Sequence, residues 1–443
     1  MFTDVVNRFR NDPRFRWEMI VLGCMYVGYA ALYMCQATVV ISGPAMLSDP
    51  ALGLNKTAWG AILGWGTAGT LSGKLINGVL ADKIGGRRVF LLSLGLCMLA
   101  TGIFGTLSGA LYFSVAYFIA LFAKSAGWPS MANLISVWYA PNWRGRIWGI
   151  LSSSSRFSSL FTTLVLGSLL LVISWREVIA VSVVITASVI VFLAFVLKQS
   201  PKDAGLEAVA SNDGDLQHRP GPRPHPLDDA TLAEALLSFI RSPRVWLICA
   251  SIMCLTVLME FQSFIPIYLQ ETFGLTSGIA AMTSSAFPIG CLISVLAGGF
   301  VFDALTKKKR IFALGGLMGL AVCCVAVLLA IPQLGMSNSF SLWTTLSAIM
   351  FFGLAIAPCY YIPMSVFSVD FGGKHCGVLV GIIDAIGYLA AMVFDFLGGA
   401  VADEVDGWHH FLNILLNVSL TGTVTLISFL FLEYRLQNEL ETD

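Results

Sequence analysis

The sequence predicts an all-α membrane protein with twelve transmembrane helices in two six-helix bundles. The chain of 443 residues is 57% hydrophobic and 12% charged, about half the charged fraction that is typical of soluble proteins. Apolar runs of roughly 20 residues, the length needed to cross the hydrocarbon core, recur along it. They lie at 18–43, 57–81, 89–107, 111–138, 147–173, 178–198, 244–270, 277–302, 311–331, 341–368, 376–402 and 411–433. A polar segment after the sixth span divides them six and six.

Basic residues orient these spans. All but five of the 26 Lys and Arg lie in the amino tail, alternate loops, the central segment or the carboxyl tail. The opposite loops hold only Lys56 and Arg176. Because cytoplasmic loops carry an excess of Lys and Arg, we expect both termini to be cytoplasmic. The net charge of zero gives no indication of nucleic-acid binding.

The even division predicts the domain organisation. We expect a cytoplasmic amino tail at 1–17, a six-helix bundle at 18–198, a cytoplasmic linker at 199–243, a second six-helix bundle at 244–433 and a cytoplasmic tail at 434–443. The linker has prolines and glycines in its middle, which favours flexibility. Its end, "DDATLAEALLSFI", has helical spacing and predicts a short surface helix. Two such halves packed around a central site are typical of duplicated transporters.

An internal echo supports duplication. "NGVLADKIGGRRVF" (77–90) follows span 2, and "GGFVFDALTKKKRIF" (298–312) follows span 8. Each places an Asp before a basic cluster that opens the next span, so an ion pair there could latch two helices. The same pattern would also arise if these residues only marked the cytoplasmic ends of the spans and formed no ion pair. The candidate cytoplasmic gate residues are Gly78, Asp82, Gly85, Arg87, Arg88 and Asp303.

The first copy of this echo resembles the loop signature of the major facilitator superfamily. A closer likeness is to its organophosphate/phosphate antiporter branch, which includes glycerol-3-phosphate transporters and the glucose-6-phosphate translocase. The matching stretches are "GKLINGVLAD" (73–82), "AGWP" (126–129), "SWRE" (174–177), "SPKDAGL" (200–206) and "SPRVW" (242–246). They cover much of the amino half and the linker, and the resemblance implies the major facilitator fold.

Charged residues inside the spans are candidates for function, because exposing a charge to lipid costs at least about 2.5–3.5 kcal/mol. The cations all belong to the amino half and the carboxylates to the carboxyl half. They could pair across the interface and hold one state closed, or the cations could hold an anionic substrate while the carboxylates gate or couple protons. The cations are Lys74, Lys124 and Arg156; the carboxylates are Glu260, Asp384 and Asp395.

Helical spacing adds polar candidates beside these charges. Tyr26, Tyr29, Tyr33 and Gln36 share one face of span 1, where tyrosines serve packing or binding. In span 7, Gln262 follows Glu260 and precedes a proline that leaves a backbone carbonyl unpaired.

The stretch "SSSSRFSSLFTT" (152–163) surrounds Arg156 with hydroxyls. Such hydroxyls can bond to carbonyls of their own helix and bend it. A guanidinium near the midplane nevertheless needs an anion or a wet cavity. We therefore expect 152–159, including Ser155, to form a wall of the substrate cavity. The predicted substrate-binding residues are Arg156, Lys74, Lys124, Gln36, Tyr29, Tyr33, Ser155, Glu260 and Gln262. The predicted proton-coupling or gating residues are Glu260, Asp384 and Asp395.

The chain departs from the branch that it resembles. The branch carries a phosphate-gripping arginine in span 1 where this chain has Gln36, and a cation in span 7 that aligns with Leu258. Its span 5 signature, rich in Asn, His and Gly, is replaced here by serines around Arg156. Lys74 alone matches a basic residue of the family site. Either a cation has moved to spans 4 and 5, or phosphate is no longer the ligand.

The predicted function is a secondary active transporter that moves a small organic anion, phosphorylated or carboxylate, by alternating access, as an antiporter or proton-coupled symporter. The alternative is a transporter-like membrane sensor that binds such a ligand and signals to a partner. We expect no enzymatic activity, cofactor or metal, because no catalytic or metal-ligating motif is present. We expect a monomeric multi-pass protein of the plasma membrane (in bacteria the inner membrane), with protons or inorganic phosphate as coupled species.

Overall fold

The computed structural model describes residues 9–207, 227, 230–335 and 337–442. Twelve long helices run through this part of the chain, one at each predicted span. In the amino half they are α1 (Pro13–Leu47), α2 (Lys56–Ile84), α3 (Gly86–Thr106), α4 (Ala110–Lys124 and Gly127–Trp138), α5 (Pro141–Phe161, the π-helical Thr162–Leu166 and Gly167–Leu169) and α6 (Trp175–Val196). In the carboxyl half they are α7 (Pro243–Glu260, Phe261–Ser263 and Ile265–Phe273), α8 (Ser277–Thr283 and Ala286–Ala304), α9 (Lys307–Ala330 and Ile331–Gln333), α10 (Asn338–Gly372), α11 (Cys376–Ala402) and α12 (Gly407–Thr442).

Local sequence signals set the starts of several helices. Asp12 accepts hydrogen bonds from the backbone N–H groups of Arg14 and Phe15 at 3.0 and 3.1 Å, so it caps α1. Ser174 and Glu177 form a reciprocal capping box at the start of α6. These caps satisfy backbone donors that have no partner inside the helix, and they let the connecting loops stay short.

Two helices are long enough to cross a membrane but are less apolar than the rest. Among the described residues, ten helices pass by both length and hydropathy, and α2 and α5 are not among them. Helix α2 is rich in Gly, Thr and Ser, and α5 contains the serine stretch around Arg156. The two most polar helices of the bundle therefore carry two of the predicted intramembrane cations, Lys74 and Arg156.

The halves meet through two symmetry-related helix pairs. Helix α2 packs along α11, and α5 packs along α8. If helix n of the first half corresponds to helix n+6 of the second, each pair maps onto the other. This agrees with the duplication that the sequence predicts and with a pseudo-two-fold axis between two six-helix bundles.

Contacts at one end seal the interface between the halves. On the side opposite the linker, Lys56 Nζ donates to Glu271 Oε2 at 2.9 Å, and the Thr57 hydroxyl donates to Asp403 at 2.8 Å. A Cβ on Gly60 would lie 2.7 Å from Gly399 Cα, so the backbones of α2 and α11 touch there. The described conformation is therefore closed on this side.

The predicted surface helix is present at Leu232–Arg241. Thr231 caps it, and Phe239 is buried with its ring centroid 6.0 Å from that of Phe371. The middle of the predicted linker, 208–226, and the tail residues 1–8 lie outside the described residues. The domain boundaries stay a prediction.

The candidate gate motif makes a different contact from the predicted ion pair. Arg87 donates to the backbone carbonyls of Leu197 and Ala194 at 2.5 and 2.7 Å, at the carboxyl end of α6. Gly85 turns the chain with a φ of 96°, and the negative end of the α6 dipole attracts the guanidinium. Among the described side chains no ion pair involves Asp82, Arg87 or Arg88. A Cβ on Gly78 would meet nothing within 4 Å, and the Asp303 side chain lies outside the described part of the structure.

Candidate functional site

A cavity lies between the two halves. Its lining residues come from α1, α2, α4 and α5 of the first half and from α7, α8, α10 and α11 of the second. Four helices of each half thus contribute to the lining. Of the predicted site residues, six line the cavity: Tyr33, Gln36, Lys124, Arg156, Glu260 and Gln262.

Arg156 extends from α5 into the cavity and has a neutral partner. Its guanidinium donates to the Tyr361 hydroxyl of α10, and its Cζ lies 5.2 Å from the centre of that ring. The residue is only 5% exposed, and its buried Nε has no hydrogen-bond partner among the described residues. Neither Glu260 nor Asp384 forms an ion pair with it. The positive charge of Arg156 is therefore not paired with a carboxylate among the described residues.

Lys124 places a second cation on the same side of the cavity. It stands at the break in α4 and is 6% exposed. Its ammonium donates to the Gln36 side-chain oxygen and lies 4.1 Å from the centre of the Tyr33 ring. Both partners are neutral, and Glu260 attracts the ammonium without forming an ion pair with it.

Lys74 behaves differently from the other two cations. It forms an ion pair with Asp384 between α2 and α11, and its ammonium lies 4.3 Å from the centre of the Tyr388 ring. The Tyr360 hydroxyl donates to the same carboxylate at 3.4 Å. Both interpretations of the intramembrane charges thus apply, each to different residues: Lys74 pairs across the interface, whereas Arg156 and Lys124 face the cavity without a carboxylate partner.

The carboxyl half contributes Glu260 and Gln262 where α7 breaks. Glu260 ends the first segment of α7, and its carboxylate accepts from the Ser263 hydroxyl at 3.4 Å. The Gln262 amide donates to Ser159 of α5 at 2.5 Å and links the two halves. Leu258, the position of the cation in the related branch, is completely buried in the hydrophobic core and not on the cavity wall.

Asp395 lies outside the cavity lining, towards the closed end. It is completely buried, and the Thr67 hydroxyl donates to one of its oxygens at 2.6 Å. The other oxygen has no hydrogen-bond partner among the described residues. No described cation is paired with this carboxylate.

The serine stretch mostly bonds to its own helix. The hydroxyls of Ser152, Ser153, Ser154 and Ser155 donate to carbonyls three residues earlier. Ser155 is not among the cavity-lining residues, whereas Ser159 is. The predicted wall is therefore narrower than 152–159.

Tyr29 packs against aromatic side chains beside the cavity. Its ring centroid lies 5.5 Å from that of Tyr33 and 5.7 Å from that of Trp128. Of the tyrosines on the shared face of α1, only Tyr33 lines the cavity. Binding roles for Tyr29, Ser155 and Lys74 stay predictions.

The hydroxyl partners of the charged residues are not among the residues predicted from the sequence. Tyr360 and Tyr361 line the cavity from α10, and Thr67 lines it from α2. Two tyrosines between Pro358 and Pro363 of a predicted span were a usable signal, because prolines distort a membrane helix where it lines a cavity. Thr67 offered no signal, since threonines commonly bond to their own helix.

Comparisons with known proteins agree with this architecture. A "Probable hexose phosphate transport protein" of Chlamydia trachomatis is 25% identical over 94% of this chain and 90% of its own length. The "Membrane sensor protein UhpC" of Escherichia coli is 24% identical over 91% of this chain and 90% of its own. A bacterial homologue of the lysosomal transporter Spinster, solved in an inward-facing and unoccupied conformation, matches with a TM-score of 0.70 at 15% identity and covers 95% of this chain and 97% of that one.

The first two of these names fall in the organophosphate/phosphate antiporter branch, so the resemblance seen in the sequence motifs is confirmed. The match to the solved structure supports the fold and not a function. The family model described as Major Facilitator Superfamily matches residues 25–395, which is most of the chain. With twelve helices around a cavity between two halves, this chain belongs to the Major Facilitator Superfamily.

Proposed function

We propose that the protein is a secondary active transporter of a small organic anion, either phosphorylated or carboxylate, and that it works by alternating access. The observation that carries the proposal is the pairing of Arg156 and Lys124 with neutral partners inside the central cavity. A buried cation without a carboxylate is costly unless an anion or water compensates for it. An anionic solute in the cavity would supply that compensation.

The distribution of basic residues indicates how the protein is oriented in the membrane. The chain is a multi-pass integral membrane protein of a transporter family. We place it in the plasma membrane, in bacteria the inner membrane, with both termini cytoplasmic. The closed end of the described conformation would then face outwards and the linker side would face the cytoplasm. One chain supplies both walls of the cavity, which favours a monomer. We propose transport without an enzymatic reaction.

The coupled species is an anion or a proton. Exchange against inorganic phosphate needs only the cationic wall. Proton coupling needs a carboxylate without a resident cation partner, a condition that both Glu260 and Asp395 meet among the described residues, whereas Asp384 is paired with Lys74.

A sensor remains the second candidate because one full-length relative is named a membrane sensor protein. A sensor would bind the same ligand but carry little flux. A transporter shows both binding and flux, whereas a sensor shows binding with little flux. Measuring both in one experiment therefore distinguishes the two functions.

The test uses the purified full-length chain in lipid vesicles. We expect Arg156-dependent binding and exchange of radiolabelled inorganic phosphate, a sugar phosphate or a sugar acid. Arg156→Lys keeps the charge but loses the planar fork. It should weaken binding by roughly tenfold to a hundredfold, the range expected for hydrogen bonds to a charged group, and Arg156→Ala should weaken it further. Lys309→Gln, an exposed change outside the cavity, is the matched control.

Two outcomes would count against the proposal. Binding without flux would favour the sensor. Unchanged binding in Arg156→Ala would show that the guanidinium is structural. To examine that possibility directly, a double-mutant cycle of Arg156→Met with Tyr361→Phe should be read by thermal stability and by binding together.

A further inference from the structure

The central cavity is electrically bipolar. The amino half supplies the Arg156 guanidinium and the Lys124 ammonium, and the carboxyl half supplies the Glu260 carboxylate. The ion pairs among the described residues are Arg14–Glu18, Lys56–Glu271, Lys74–Asp384 and Arg244–Glu433, and Glu260 takes part in none of them. Lys124 attracts the Glu260 carboxylate electrostatically without forming an ion pair with it, so a purely anionic solute on the positive wall would still meet the negative charge of Glu260 in the same cavity.

The surroundings of Glu260 favour a cation. It ends the first segment of α7, and the negative end of that helix dipole adds to the carboxylate. Its recorded hydrogen-bond partner is the neutral Ser263 hydroxyl. Pro266, which has no backbone N–H, lies in the first turn of the second segment, just after this break.

We propose that the transported solute carries an ammonium group as well as its anionic group. The anionic group binds to Arg156 and Lys124, and the ammonium binds to Glu260. The inference rests on the proposed function, because it assigns a second recognition element to the same site. The substrate class is an aminated organic anion, such as an amino sugar phosphate or an amino sugar acid.

The arrangement also explains how one solute could act on both halves. The two cations lie on α4 and α5, and the carboxylate lies on α7, so a bipolar solute contacts both bundles at once. A ligand can shift a conformational equilibrium only through contacts that differ between states. Contacts to both halves meet this condition.

Two matched ligand pairs test the inference on the purified full-length protein in nanodiscs. Each pair differs by one amino group: glucosamine 6-phosphate against glucose 6-phosphate, and glucosaminate against gluconate. We expect the aminated member of at least one pair to bind about tenfold more tightly, the factor for one hydrogen bond to a charged group. Calorimetry at neutral pH measures the affinities. This comparison uses the unaltered chain, so it does not depend on the folding of any variant.

Glu260→Gln identifies the group responsible. We expect it to remove the preference for the aminated ligand and to leave the affinity for the non-aminated one equal or higher. Glu404→Gln, an exposed carboxylate on the same half, is the control and should keep the preference.

Several results would overturn the ammonium site. Equal affinity within both pairs would do so, as would a preference that survives Glu260→Gln. Sodium chloride could stabilise the protein more than choline chloride does, with no preference for aminated ligands. If Glu260→Gln removed that difference, Glu260 would be assigned to a metal cation. Binding of the non-aminated anions in an Arg156-dependent manner would keep the proposed function in each of these cases. Failure of all four ligands to bind, together with no anion exchange in vesicles, would remove both proposals.

Discussion

The ion pair between Lys74 and Asp384 is predicted to stabilise the described conformation. It joins α2 of one half to α11 of the other, with its side chains 27% and 17% exposed. Lys74→Met would leave the Asp384 carboxylate with the Tyr360 hydroxyl but without a cation. The Lys74→Met/Asp384→Asn double variant removes both charges and leaves neither unpaired.

The partial burial of the pair sets the expected magnitude. Exposed ion pairs contribute about 0–1 kcal/mol, and breaking a buried pair costs about 3–5 kcal/mol. With both groups partly exposed, we take about 2 kcal/mol for the loss of one partner, an intermediate value. That corresponds to a shift of roughly 30-fold in the equilibrium between this conformation and the alternatives in which the pair is broken. The double variant should recover most of the shift, because no buried charge is stranded.

Distance measurements between the halves provide the assay. Spin labels at Ile84→Cys and Val378→Cys, both exposed positions near the linker-side ends of α2 and α11, report the separation of the two helices. The background should lack the three cysteines that are not buried, Cys254, Cys323 and Cys376. We expect the distance population of the described conformation to fall in the single variant and to return in the double variant.

Two results would refute this reasoning. A distance distribution that is the same in all variants would show that the pair does not bias the equilibrium. A double variant that behaves as badly as Lys74→Met would show that Lys74 acts on its own. In that event Lys74 would be a substrate ligand, as the sequence predicts, and anion binding would be lost along with the conformation.

Two further predictions concern the closed end. Asp395→Asn should leave exchange of bound substrate intact but abolish accumulation driven by a pH gradient, since Asp395 has no paired cation among the described residues. Uptake into vesicles with and without the gradient measures this. Normal accumulation in the variant would contradict the prediction. Gly60→Ala places a Cβ 2.5 Å from the Asp395 backbone carbonyl oxygen and 2.7 Å from Gly399 Cα. Overpacking of this kind costs about 1–3 kcal/mol, so thermal stability should fall and the closed end should open, whereas Gly95→Ala, with nothing within 4 Å, should be tolerated.

The number and order of the helices could be predicted because apolar length is a property of each segment alone. Helices α2 and α5 show where this signal weakens. In these two helices Ser, Thr and Gly take the place of apolar residues, and this lowers their hydropathy. The other helices that line the cavity keep enough apolar residues to be detected.

The side-chain partners could not be predicted in the same way. Arg156 and Tyr361 are 205 residues apart, and Thr67 and Asp395 are 328 apart. Such pairs depend on how the two bundles dock, and the periodicity of one helix carries no information about docking. The serines show a related limit, because spacing identifies a shared face but cannot tell whether a hydroxyl donates to its own helix, as Ser155 does, or faces the cavity, as Ser159 does.

The departure from the related branch at Gln36 does not remove positive charge from this wall of the cavity. The branch carries an arginine at the Gln36 position in helix 1. In the structure, the Lys124 ammonium of α4 contacts the Gln36 side-chain oxygen itself, so a cation still occupies that part of the cavity. Helix α5 adds Arg156, whereas the cation of α2 is neutralised by Asp384. A cationic wall of two groups is thus retained on different helices, which favours migration of the anion site over its loss. This interpretation requires that Lys124→Gln and Arg156→Ala each lose anion binding. It also requires that Gln36→Leu, which keeps the ammonium, binds the anion more tightly than Lys124→Gln does.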